Sequence, residues 1–427
     1  MKLVKLSLFA IISVATISSI SNAKTLEDNK KSGYSHLTTS SVSSAGILEE
    51  TIKNIDISGY SRYRYDSEYN DIEGHINKHR FTSDINFQSA LDDNFFGVIG
   101  FRYDSGDNSG ENSDAATQVG TNDTGFNYDN YGQTFNVRQF YLGYKAGNTT
   151  ITAGRQVLGT FFTDDMVGTG IKVLNNDING LTLAGMAFDN LQNDNDIRTR
   201  FYFIGNKNSP QPEFITDRNL YSVAAIGSYN LVSFQLWYAA IDSVAQLYAT
   251  DLLIGTNIAD IDLSLQAQYA TSSMWAENFR LGVVLPLDDA KFAAIEAGAK
   301  AFGFDANAGY VWFDTDEVSF ISFEDQGSFI DAGENILEYS LIIGESKYWF
   351  LKAGYTFANK VRVGADYVSG EVIRKRINST VNEYEAVARV DYKYSKKLNF
   401  KAWYSYIDRD SIIGDYKHLR FEARYNF

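Results

Sequence analysis

The chain has 427 residues, is 15% aromatic with 28 Tyr and 29 Phe, and contains 33 Gly, 3 Pro and no Cys at a formal net charge of −15. The lack of Cys excludes disulfides and thiolate sites, and the acid excess disfavours nucleic-acid binding while drawing cations. A chain this long makes two or three soluble domains or one large barrel, and the aromatic content, with so little Pro, favours the barrel.

The first residues read as an export signal. Lys2 and Lys5 form a short basic region, Leu6 to Ile20 is mostly apolar, and Ser21-Asn22-Ala23 fits a signal-peptidase site. Residues 1–23 are therefore expected to be a cleaved signal peptide rather than a membrane anchor, for which the stretch is too short and too rich in Ser. Residues 24–45, rich in Ser, Thr, Lys and Asn, read as a flexible N-terminal extension. Residues 46–427 read as one all-β domain.

From Ile55 onward, period-2 segments alternate with polar turns. Arg80, Thr82, Asp84, Asn86 and Gln88 fall on one face of a strand, with Phe81, Ile85 and Phe87 on the other. Glu383, Glu385, Arg389, Asp391 and Lys393 oppose Tyr384, Ala386, Ala388, Val390 and Tyr392 in the same way. No stretch of about 18 apolar residues follows the signal, so a transmembrane helix is not expected. A mean hydropathy of −0.25 would suit a soluble protein, but a barrel strand is apolar only at every second residue. Repetition at membrane-strand length favours a transmembrane antiparallel β-barrel over a sandwich. Roughly 16 to 20 segments are visible, and the even counts of single-chain bacterial barrels favour 18. The segments around Ile171 and Phe292 are the weakest. Short turns such as Asn359-Lys360 and long polar stretches such as Ser105 to Gln133, Leu191 to Asp217, Asp314 to Glu338 and Val372 to Val381 suit the two ends of such a barrel.

An inward-folded constriction loop is expected after the strand that contains Gly154-Arg155-Gln156. In Thr160 to Gly170, the acids Asp164 and Asp165 sit among apolar residues, which fits a segment packed on the barrel wall with carboxylates aimed into the lumen. Facing acids and bases create a transverse field that orients permeants. Arg62, Arg64, Arg80, Arg102, Arg389, Arg420 and Arg424 are the candidate pore-wall bases. Arg138 and Arg155 fit less well, because Leu142 and Val157 share their faces by strand parity. Further acids cluster at Glu324-Asp325 and at Asp189, Asp194 and Asp196. Ca²⁺ prefers oxygen ligands drawn from separate loops, so Asp164, Asp165, Asp194, Asp196 and Glu324 are candidate ligands, although their spacing matches no EF-hand.

Catalysis is not expected. The four His are His36, His75, His79 and His418, and no nucleophile elbow, P-loop or HExxH pattern occurs. The last nine residues alternate without a break: Leu419, Phe421, Ala423, Tyr425 and Phe427 on one face, Arg420, Glu422, Arg424 and Asn426 on the other. A lipid face and a wet lumen face demand that pattern. Ending on Phe427, with Tyr425 before it, the segment also resembles the C-terminal assembly signal of outer-membrane barrels.

Several stretches resemble the major outer membrane porin family of the Campylobacter type. They include Leu48 to Gly59 followed by Arg62-Tyr63-Arg64-Tyr65-Asp66, Val167 to Val173, Asn179 to Ala184, Glu324-Asp325-Gln326-Gly327, Val361 to Tyr367 and Glu385 to Ser395. The resemblance implies an 18-stranded barrel in the outer membrane, assembled as a homotrimer and acting as a cation-preferring diffusion channel for ions and small hydrophilic solutes. It also implies Ca²⁺ near the constriction, held at Asp164 or Asp165, at Glu324 and at Asp194 or Asp196, and possible host-surface ligands. Residues 24–45 and a shortened loop before Val167 depart from the family pattern. A loop-plugged adhesin and a substrate-specific channel are the competing readings.

Overall fold

Alternating side chains make strands whose two faces differ, and a sheet of such strands closes when the first meets the last. In the computed structural model, eighteen strands do this: β1 (Asp56–Asn70), β2 (Gly74–Ala90), β3 (Phe95–Asp104), β4 (Phe135–Ala146), β5 (Thr149–Val157), β6 (Val167–Asn175), β7 (Leu181–Gln192), β8 (Leu220–Tyr229), β9 (Val232–Ile241), β10 (Ala245–Ile258), β11 (Ile261–Met274), β12 (Ala290–Ala301), β13 (Phe304–Thr315), β14 (Glu345–Phe357), β15 (Val361–Arg374), β16 (Ser379–Lys393), β17 (Leu398–Arg409) and β18 (Tyr416–Asn426). The structure describes residues 55–72, 74–105, 135–192, 203–206, 212–214, 218–275, 279–281, 285–324, 326–410 and 414–427. Residues 1–45, with the expected signal and extension, lie outside them.

Each strand pairs antiparallel with its neighbours in the chain, and β1 pairs with β18 from Tyr60–Asn426 to Asn70–Tyr416. Phe427 completes the seam by exchanging backbone hydrogen bonds with Gly59 at 3.1 and 3.3 Å. Gly59 is required there: its φ is +149°, and a Cβ would lie 2.0 Å from the Asp84 carbonyl oxygen. The segments around Ile171 and Phe292 are strands β6 and β12. The Val372–Val381 stretch is mostly strand, with only 375–378 left as a turn.

Parity sets the two faces. Tyr63, Phe81, Leu142, Tyr221, Leu252, Leu265, Tyr310, Trp349, Tyr404 and Phe421 are exposed on the outside, as a lipid-facing belt requires. The end that carries the termini has only turns, including Gly147-Asn148, Asn230-Leu231, Ala259-Asp260 and Phe302-Gly303. The loops of the opposite end include the long segment 316–344.

Candidate functional site: a two-sided lumen closed by inward loops

The barrel interior is not uniformly polar. Between β7 and β14 the inward residues are largely apolar: Met186, Phe188, Leu220, Trp237, Ile241, Leu247, Phe292, Val311, Phe313, Tyr348 and Phe350 are all buried. A bare wall of this kind facing water would be costly, since each buried aromatic or aliphatic side chain contributes about 1.5–3 kcal/mol. Segment 316–344 covers it. Phe320, Ile321, Phe323, Phe329, Ile330, Leu337 and Tyr339 of that segment are buried against the wall in one core cluster. Phe329 sits centrally, with ring centroids of Phe161 and Phe292 each 4.8 Å away and Tyr339 at 5.6 Å.

The expected constriction segment also folds inward, but as the smaller partner. Leu158, Phe161, Phe162 and Met166 are buried, whereas Val167 to Gly170 already belong to β6. The two loops are stitched by backbone hydrogen bonds: Phe323 N–H donates to the Phe162 carbonyl at 2.7 Å, and Ser328 N–H to the Phe161 carbonyl at 2.9 Å. In sequence, Asp314 to Glu338 reads as a long polar connection with an acidic cluster at Glu324-Asp325. Its apolar residues were the missed signal.

Polar latches hold the long loop from the charged side. The Glu385 carboxylate, on the wall at β16, accepts the N–H groups of Glu334, Asn335 and Ile336 at 3.0, 3.2 and 3.2 Å and the Ser405 hydroxyl at 2.5 Å. Gly333 lets the loop come this close, because a Cβ there would lie 2.2 Å from Glu385 Oε2 at a φ of +78°. Gln268 receives the Ile330 N–H at 2.6 Å and donates to the Ser328 carbonyl at 3.1 Å. His418 bridges Asn335 Oδ1 at 3.0 Å and Asp66 at 2.9 Å.

The expected acids come together, but not as expected. Glu324 Oε2 accepts the backbone N–H groups of Asp164 at 3.1 Å and Asp165 at 2.8 Å, so Glu324 fastens the short loop. The Asp164 side chain is exposed, and Asp165 Oδ2 lies 3.8 Å from Arg138 Nη2. Asp194 and Asp196 lie outside the described residues. Among the described residues, no three His, Asp or Glu side chains are arranged so that they could hold a metal ion. With one Glu324 oxygen engaged by amides and a guanidinium beside Asp165, these carboxylates do not by themselves make the cage of six to eight oxygens that Ca²⁺ takes.

The opposite wall, from β14 through β18 to β4, is charged. Arg62, Arg64, Arg80, Arg102, Arg389, Arg420 and Arg424 all face inward by strand parity, among buried lumenal neighbours such as Asp66, Asp84 and Glu422. Arg138 joins them, contrary to the parity expectation. β3 and β4 slip register at this point: Gly100 opposes Gln139 while Phe101 opposes Val137, so Arg138 is the extra residue of a bulge and turns inward, 3% exposed. Arg155 does not turn. It stands opposite Phe140, which is exposed on the outer face, and bonds the Asn190 carbonyl at 3.1 Å.

Most of these bases meet acids. Arg64 pairs with Glu422 at 2.6 Å, Arg80 with Asp104 at 2.8 Å and Arg420 with Asp66 at 2.5 Å. Arg389 pairs with Glu334 at 2.9 Å and also with Asp366. Arg102 lies 3.9 Å from Asp84 and 3.8 Å from Asp104. At the end near the chain termini, Arg424 stacks on Tyr60 with its guanidinium 3.9 Å from the ring centroid, and Arg62 approaches the same ring at 5.5 Å.

An 18-stranded barrel with lipid-facing aromatics, a charged lumen and inward loops is the architecture of an outer-membrane pore, and residues 32–427 match the Campylobacter major outer membrane protein family. The chain belongs to that family. Its place is therefore the bacterial outer membrane, as the sequence reading expected. No curated protein matches the chain. Among solved structures, OccAB3 of Acinetobacter baumannii aligns at a TM-score of 0.71 and 14% identity, over 88% of this chain and 99% of its own. A BenF-like porin from Pseudomonas fluorescens Pf-5 aligns at 0.68 and 13%, over 88% and 99%. OpdQ of Pseudomonas aeruginosa aligns at 0.66 and 14%, over 88% and 99%. At this identity the likeness concerns the fold, and the fold is that of a porin channel.

Proposed function

We propose that this family member is a passive diffusion channel with a preference for cations, passing ions and small hydrophilic solutes without covalent chemistry. The observation that carries the preference is the pairing on the charged wall. Arg64, Arg80, Arg389 and Arg420 each have a carboxylate within 3 Å, so their fields are largely cancelled and the charged wall offers anions little net attraction. The formal charge of −15 acts in the same sense. Assembly as a homotrimer belongs to the same proposal and is tested by the mass of the detergent-solubilised particle.

The test of selectivity is the reversal potential of single channels in planar bilayers under a KCl gradient. Asp164→Asn together with Asp165→Asn is expected to reduce the cation preference without altering folding, because the backbone N–H groups that bind Glu324 remain. An unchanged reversal potential removes these acids from the filter. A constriction Ca²⁺ needs Asp194 or Asp196 as a further ligand, and a chelator-induced shift in the same potential is the sign of one.

A further inference from the structure

On the charged wall, directly beneath the latched stretch Glu334 to Ile336, lies a cavity of about 100 Å³, which holds several waters or a solute of a few heavy atoms. Four cations line it, Arg64, Arg389, Lys401 and Arg420, with three acids, Glu334, Asp391 and Glu422. Cross-strand pairing brings them together: Arg64 stands opposite Glu422, Glu422 opposite Lys401, and Lys401 opposite Asp391.

The way these groups are paired is the informative part. Arg64 reaches Glu422 through Nε, and Arg420 reaches Asp66 through Nε. Among the described residues the four terminal Nη groups of these two arginines make no hydrogen bond, although a guanidinium usually presents such a fork to a carboxylate in two bonds. Lys401 makes neither a hydrogen bond nor an ion pair there. Asp391 makes no hydrogen bond, and its nearest cation is Arg362 Nη1 at 3.8 Å. The Nε of Arg389 is buried without a partner. The niche thus holds donors without hydrogen bonds on one side and, on the other, a carboxylate that accepts no hydrogen bond and has only a long ion pair to Arg362. Lys401 and Asp391 stand directly opposite each other in register, yet their side chains do not close on one another.

We propose that this niche is a binding subsite for a zwitterionic amino acid on its way through the lumen. The solute's carboxylate takes the Nη donors of Arg64 and Arg420 together with Lys401, and its ammonium group takes Asp391. The placement of the groups decides against the alternatives. A dianion would meet three acids, a free amine would meet four cations, and a monoanion, though it offsets the excess of one cation, would engage only the basic side, whereas a zwitterion engages both sides. Neither Lys401 nor Asp391 carries a hydrogen bond, and Arg362 keeps its closer pair with Asp305 at 2.6 Å when Asp391 is changed, so the wall loses little in either substitution.

The inference rests on the channel reading, and two readouts separate their failures. In bilayers, L-alanine is expected to reduce the single-channel current of the full-length protein in a saturable way, with acetate and ethylammonium each roughly tenfold weaker because each uses only half of the niche. Lys401→Gln weakens the alanine and acetate effects by roughly tenfold. Asp391→Asn weakens that of alanine by a similar factor and leaves acetate unchanged. Conducting channels that respond equally to all three probes, or to none, overturn the subsite and leave the channel standing. If the protein does not conduct, fluorescence of Trp403, whose side chain lines the niche, is titrated with L-alanine in detergent against a Trp403→Phe control. A saturable change abolished by that control upholds the subsite while the channel reading falls, and no change overturns both.

Discussion

The two halves of the barrel interior solve opposite problems with the same strand pattern. On the half from β7 to β14, inward positions carry Phe, Trp, Leu, Val and Ala, and two loops cover them. On the other half, inward positions carry Arg, Asp and Glu in cross-strand pairs, and water keeps access. One wall is a core and the other a pore lining. The difference teaches that a porin can narrow its lumen by ordinary hydrophobic packing, and then leave selectivity to whatever stays uncovered. The latch at Glu385 reaches across from the charged half, a wall carboxylate that receives backbone N–H groups from the loop.

The largest expected break in this division is Phe329→Ala. Removing the ring at the centre of the aromatic cluster should cost the docked loop about 3–5 kcal/mol. Segment 316–344 contains no Lys or Arg but several acids, so V8 protease rather than trypsin reads its release, together with larger conductance steps. Resistance equal to that of the parent protein would mean the loop is held by its latches alone.

Glu385→Gln addresses those latches. It keeps the volume but replaces a carboxylate that receives three amides, a side-chain amide and a hydroxyl, at a cost of roughly 2–3 kcal/mol. The expected outcome is noisier open-channel current with V8 cleavage intermediate between the parent and Phe329→Ala. Gly333→Ala, which pushes a methyl group into the same carboxylate, should reproduce that noise.

A smaller effect depends on pH. Asp331, on the docked loop, is enclosed so that burial pushes its carboxyl up to about 7, with Lys352 opposing the shift and Glu334 and Glu385 adding to it. An acid whose pKa is higher when docked binds an extra proton in that state between its ordinary value near 4 and about 7. Docking is therefore strongest at the acid end of that window, weakens as pH rises through it, and levels off above it. Hydrogen exchange of Ile330 to Ala332, corrected for intrinsic rates, should speed up from pH 5 to pH 8, and Asp331→Asn should flatten the trend. The smallest effect on stability is that of the Asp164 and Asp165 substitutions, which act on ion selectivity.

By itself the sequence determined the barrel and most inward and outward assignments, because a period of two read over a membrane-length strand has one lipid-compatible phase. It bounded the strand count at roughly 16 to 20 and favoured 18, the number that the closed sheet has. It placed the arginines of β1, β2, β3, β16 and β18 on the inner face for the same reason. Arg138 escaped because a bulge shifts parity by one residue, and a single chain carries no mark of the partner strand that makes the bulge. The Asp164–Asp165–Glu324 meeting was legible only as three acids, since a carboxylate that binds backbone amides looks in sequence like one that binds an ion. What only the tertiary structure decided is which loop narrows the lumen. Phe320, Phe323, Phe329 and Tyr339 alternate with acids and small polar residues in a stretch that sequence alone reads as a loop. Only the apolar wall of β7 to β14, assembled from eight consecutive strands over residues 181–357, gives them a place to be buried.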